Sequence, residues 1–127
     1  MMDDFIYVND DALGKGICGE IIEKFEADER KALGLVGNSD NSSKVVDNSL
    51  KTSTDLYITD LEDWKDLDGI ISKSVSENIQ NYMDHCFDIF NKLDPTPNPF
   101  YNAKFDDHGY NVKAYEPGGY FHWHDDF

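Results

Sequence analysis

Three residues near the end of the sequence have the types and spacing to hold a metal ion: His122, His124 and Asp126. In an extended strand, side chains two apart share a face, with Cα atoms about 6.6 Å apart. His124 and Asp126 therefore converge on one ion. His122 shares that face, so His122-x-His124 is a competing pair. All three do not serve together, because residues 122 and 126 lie about 13 Å apart in a straight strand and ligands bind at about 2 Å. An imidazole plus a carboxylate is two-thirds of a two-His-one-carboxylate triad, which leaves coordination positions open for reactants. Alone, His-x-Asp is a weak signal, and an exposed acidic strand end is its plain alternative.

The segment that delivers these residues gives them weight. After Gly109 the pattern has period two: Tyr110, Val112 and Ala114 share one parity, and Asn111, Lys113 and Tyr115 share the other. That predicts a strand with one apolar and one polar face. Tyr115 falls on the polar face, which suits lining a site; a strand aromatic packed on a neighbour is the equally open reading. Pro117-Gly118-Gly119 signals a turn. Tyr120 to Phe127 resumes an extended, aromatic-rich pattern, with Phe121 and Trp123 on the parity expected to face the core.

Upstream elements must support that strand. Phe5 to Val8 reads as a short strand. Leu13, Ile17, Ile21 and Phe25 recur every four residues, widened by Cys18 and Ile22, and predict a helix from about Ala12 to about Glu29. Gly37 to Asn48 is small and polar and reads as an exposed loop. Lys51 to Thr59 reads as a strand. Ile71, Val75, Ile79, Tyr82, Met83, Cys86, Phe90 and Leu93 predict a second, long helix, ended by Pro95, Pro97 and Pro99. His85 on that helix and His108 in a polar loop look incidental. Cys18 and Cys86 read as small buried thiols rather than a disulfide framework.

The run Tyr115-Glu-Pro117-Gly118, the aromatic Tyr120, then His124 and Asp126 resembles the prolyl-4-hydroxylase-like branch of the 2-oxoglutarate-dependent oxygenases. The resemblance is tight over residues 110–127. It is loose upstream, where a helix near Leu13, a Ser/Thr-rich segment at Lys51 to Thr54 and a long helix follow the same outline. It implies an α+β fold with N-terminal helices packed on the start of a double-stranded β-helix (a jelly-roll or cupin-like core), in a single domain over residues 1–127. It implies His124 and Asp126 as Fe(II) ligands and Tyr115 as a contact to the co-substrate 2-oxoglutarate. His122 and Lys113 are candidates to back that site, and ascorbate is an optional addition. The implied reaction hydroxylates a prolyl or similar side chain in a peptide or small molecule, using O2 and converting 2-oxoglutarate to succinate.

In the family, a distal histidine and an Arg or Lys for the far carboxylate of 2-oxoglutarate lie well downstream of His-x-Asp. Nothing follows Phe127 in the sequence. The expectation is therefore the front part of a longer protein, with an incomplete barrel, no turnover on its own and weak metal affinity. A non-catalytic, metal-binding cupin-like interaction module is the alternative reading of the same residues. A third is an acidic binding domain in which the His-x-Asp is accidental.

Charge narrows the partners. The chain carries 26 acidic and 11 basic residues, a net charge of -15. No basic face is visible for phosphates, which argues against nucleic acid. The N-terminus is acidic, and no apolar run approaches the roughly 20 residues of a membrane span. The expectation is a cytoplasmic protein without a membrane partner.

Overall fold

The computed structural model describes residues 2–37, 43–93 and 104–125. Asp126, and the three prolines expected to end the second helix, lie outside the described residues. The fold is mixed α and β, built on small antiparallel sheets. The described strands form no closed barrel.

Two helices lie beside a three-stranded sheet. Helix α1 spans Lys15–Ala27 and α2 spans Lys65–Leu93. The sheet has the order β1 (Ala32–Leu33), β4 (Thr54–Tyr57), β5 (Asn111–Ala114). A short hairpin of β2 (Val36–Gly37) and β3 (Lys44–Val45) closes the polar segment after it. No helix among the described residues is long and apolar enough to cross a membrane.

Register decides which face does what. Leu56 pairs with Val112 and Thr54 with Ala114, so apolar side chains fall on one face. There they meet Phe25, Ile58, Trp64 and Leu67, with Ile17, Ile21 and Ile71 packed around them. Burying each large apolar side chain in such a cluster contributes roughly 1.5–3 kcal/mol. The alternate residues pair on the opposite face, Asp55 with Lys113 and Tyr57 with Asn111. The expected parity of β5 thus holds at each strand position: Val112 and Ala114 pack on the core, and Asn111 and Lys113 face out.

The junction below the core is held by charge. The indole N–H of Trp64, whose side chain is fully buried, donates to Asp28 Oδ2 at 3.0 Å. Arg30 donates to both Asp28 and Asp63. Lys24 adds an ion pair to Asp63 at 3.6 Å and stands 5.4 Å from the Trp64 ring centre.

Several expectations change. Phe5 to Val8 is not a strand: Met2–Phe5 is a 3-10 turn and the chain then runs on without pairing. Its aromatic residues have another use. Phe5 packs at a tilt against Phe90, and Tyr7 against Tyr82 and His85, so this stretch lies along α2 instead of joining a sheet. His85 is correspondingly more than incidental, with Nε2 2.6 Å from the Asp4 carbonyl oxygen. Helix α1 begins three residues later than expected, after an Asx turn in which Asp11 N–H donates to Asn9 Oδ1. Its packing stripe is narrower too: Cys18 and Ile22 are exposed, because only the 17-21-25 line meets the core. Cys86 is fully buried, as expected.

Candidate functional site

The outer face of the sheet carries the functional candidates. A groove of about 380 Å³ opens there. Its walls include Leu35, Lys51, Lys113, Phe121, His122 and His124, with Asp125 also lining it.

Two of its lining residues, Lys51 and Lys113, share the carboxylate of Asp55 behind the wall. Strand pairing sets Lys113 opposite Asp55, and Lys113 Nζ donates to Asp55 Oδ2 at 2.9 Å. Lys51 reaches the same oxygen at the longer distance of 3.4 Å. It also donates to the Leu35 carbonyl oxygen at 3.3 Å. The Lys51 side chain is only 3% exposed. Its burial depends on Gly34, where a Cβ would collide with the Ser53 hydroxyl and come within 2.9 Å of Lys51 Cε.

The pKa directions follow from this geometry. Burial pushes the Lys51 ammonium below the ordinary lysine value, and neighbouring Lys113 adds to that. For Lys113, burial opposes the charge, but the hydrogen bond and attraction of Asp55 leave its pKa raised. Burial likewise opposes the Asp55 carboxylate, yet bonds from Ser53 and Lys113 hold it below the ordinary value.

The segment after β5 covers part of this face. Glu116 O accepts from Gly119 N–H at 2.7 Å, and Gly118 takes φ +82°, so the expected Pro-Gly-Gly turn is present. Thr52 N–H then donates to Tyr120 O, and His122 N–H to Leu50 O. Phe121 bridges to Lys51. The pairing stops there, so residues 120–125 are not the continuous strand expected. A bend at Trp123 replaces it.

That bend changes which rings meet. The His124 ring stacks on Phe121, with centroids 3.6 Å apart and planes at 14°. Alternation in a straight strand would have set them on opposite faces. His124 Nδ1 lies 2.7 Å from the His122 carbonyl oxygen, and the His122 ring packs on Tyr120 at 4.7 Å. Phe121 and Trp123 are not core residues. Phe121 is 38% exposed with Lys51 Nζ 4.9 Å from its ring centre, and Trp123 is fully exposed.

Of the residues singled out from sequence, the groove brings together Lys113, His122 and His124. Tyr115 shares the polar face of β5 but sits one residue past the strand, half-exposed and outside the groove's wall. Asp126 lies outside the described residues. Among the described residues, no group of three His, Cys, Asp or Glu side chains is placed to hold a metal. Sequence reasoning missed Lys51 and Asp55 as site residues. Lys51, Ser53 and Asp55 alternate in the sequence, but the residues that bring Lys51 and Asp55 to this face, Phe121 and Lys113, lie far along the chain.

Comparison of the chain with family models, with curated proteins and with solved structures finds no match.

Proposed function

We propose that this protein acts as an Fe(II)- and 2-oxoglutarate-dependent dioxygenase, hydroxylating a prolyl or similar side chain in a peptide or small molecule. The observation that carries the reading is the run from Tyr115 to Asp126, which resembles the metal-binding stretch of prolyl-4-hydroxylase-like enzymes. Its support in the fold is a polar sheet face followed by a tight turn, which leads His124 to the wall of a groove.

The donor chemistry fits iron in kind, an imidazole and, two residues on, a carboxylate. A backbone carbonyl at Nδ1 favours the proton on that nitrogen, so Nε2 of His124 carries the lone pair for a metal. His124 and Asp126 would hold the ion. Iron with 2-oxoglutarate would supply the oxidising power for C–H hydroxylation. The chain's own part is positional. Phe121 stacks the His124 ring in place, and the Asp55–Lys113 pair fixes the strand that leads to it.

The test begins with metal. Cobalt(II) titration followed by its visible bands is expected to show a site lost in both His124→Ala and Asp126→Ala and kept in His122→Ala. The protein carrying this chain is then expected to release succinate only with Fe(II) and 2-oxoglutarate together. Equal cobalt binding or equal turnover in His124→Ala would refute the ligand assignment. Metal binding without succinate release would favour the non-catalytic cupin-like module instead.

A further inference from the structure

The groove has a second chemical character that owes nothing to metal. Two ammonium groups, Lys51 and Lys113, share the single carboxylate of Asp55. The other partners of Lys51 are a neutral carbonyl oxygen and the face of Phe121. Their contacts therefore leave one positive charge uncompensated at the wall of a groove, in a chain whose net charge is -15. Asp125 also lines the groove, but among the described residues no ion pair joins it to either lysine.

We propose that this groove binds the carboxylate of a small organic acid against Lys113 and Lys51, with the acid's apolar part against Leu35 and Phe121. Lys113 is the primary contact. It is 40% exposed, lines the groove, and has three N–H donors, of which Asp55 takes one. Lys51 is 3% exposed and acts from beneath by its charge. Asp55 is the internal competitor: its carboxylate occupies the place in the charge cluster that a ligand's carboxylate would share.

Size and charge select a small ligand over an acidic peptide. The groove's volume of about 380 Å³ lies in the range of about 300–1,000 Å³ usual for small-molecule sites. A polyacidic segment would meet the repulsion of the whole acidic surface. A small acid with one or two charges feels chiefly the groups within a Debye length, about 8 Å at physiological salt.

The inference needs neither iron nor Asp126, and its test is run in EDTA. Succinate is titrated into the 15N-labelled chain and amide shifts are followed. Succinamide, its neutral analogue, and hexaglutamate are run alongside. Succinate is expected to move amides at residues 112–114 and 121–124, and succinamide is not. Lys113→Met is expected to weaken succinate about tenfold, the loss of one charge-assisted hydrogen bond. Lys113→Arg is expected to restore most of it. Asp55→Asn is expected to tighten succinate binding, because it removes the competing carboxylate. This second variant reads in the opposite direction, so simple damage to the fold cannot mimic it.

Equal shifts with succinamide, or weaker succinate binding in Asp55→Asn, would overturn the proposal. Tighter binding of hexaglutamate than of succinate would overturn the small-ligand assignment. If succinate fails while cobalt still reports on His124, the carboxylate site falls and the metal reading stands. The reverse result separates them the other way.

Discussion

Two charge clusters of the fold are built to different ends. At the junction below the core, Arg30 and Lys24 meet Asp28 and Asp63, two cations against two anions. At the wall of the groove, Lys51 and Lys113 meet Asp55 alone. The first cluster is balanced, and a buried indole N–H spends its one donor on it. The second has two cations on one carboxylate and opens onto a cavity lined by aromatic rings, imidazoles and the separate carboxylate of Asp125. The contrast teaches where to look for function. A balanced cluster under a core is explained by stability, because each group's partner is already in the protein. An unbalanced one beside a groove is not, and a ligand supplies what is missing.

The junction should dominate stability. Trp64→Ala removes a fully buried indole from the centre of the core cluster and is expected to cost about 3–5 kcal/mol. Urea unfolding measures it. A cost under about 1 kcal/mol would mean that the core does not pack around this residue. Asp28→Ala comes next, at about 1–3 kcal/mol, because it leaves the buried Trp64 N–H without its acceptor. Trp64→Phe, which removes the N–H along with part of the ring, should shrink the extra cost of Asp28→Ala in a double-mutant cycle. Independent, additive costs would break the link between ring and carboxylate.

Acid should reveal both clusters with the same sign. Asp28, Asp55 and Asp63 all lie below the ordinary carboxylate value of 3.8. For Asp28 and Asp63 the first cause is hydrogen bonding from Arg30; for Asp55, bonds from Ser53 and Lys113 outweigh its burial. In the acid range the unfolded chain therefore binds more protons than the folded one. The stability these groups contribute is complete above about pH 4 and lost as pH falls through their folded values. Melting temperature is expected to drop below pH 4, with Asp28, the most depressed of the three, losing its contribution last. Asp28→Ala should flatten that drop. An unchanged slope would separate Asp28 from the acid transition.

Lys113→Met is expected to behave differently from the junction variants. Its partner Asp55 keeps Ser53 and Lys51, and Lys113 itself is 40% exposed. The stability cost should stay under about 1 kcal/mol, the usual worth of an exposed pair, while anion binding falls. A stability loss as large as that of Asp28→Ala would make the two clusters alike and remove the contrast.

How far the sequence disclosed all this varied with the interactions that set each element. The 17-21-25 line of α1, the α2 stripe at Ile71 and Cys86 (though not at exposed Val75) and the alternation of β5 were legible, because a buried face leaves its period in the sequence. The Pro-Gly-Gly turn was legible because Gly118 supplies the positive φ. Phe5 to Val8 misled, since the aromatic residues that suit a strand here pack against the side of a helix instead. The bend at Trp123 was not legible. It is fixed by His124 stacking on Phe121 and by its contact to the His122 carbonyl, and neither leaves a periodic trace. Lys51 and Asp55 join the groove through pairing between residues far apart in sequence: Asp55 with Lys113 and Lys51 with Phe121. Local pattern reading does not reach such pairs.

The smallest expected effect tests the bend itself. Trp123 is fully exposed, although a straight strand would have turned it into the core. An indole in water contributes little to folding, so Trp123→Ala should change unfolding free energy by no more than about 0.5 kcal/mol. Its near-equality with wild type would set it against Trp64→Ala: two tryptophans in one chain, one at the centre of the core and one outside it. The ring does line the groove, so the same variant is expected to alter the succinate-induced amide shifts at 121–124. A cost above about 1 kcal/mol would show that Trp123 packs in solution. The segment would then continue as the expected strand, the stacking of His124 on Phe121 would be lost, and the groove would close over its surplus charge.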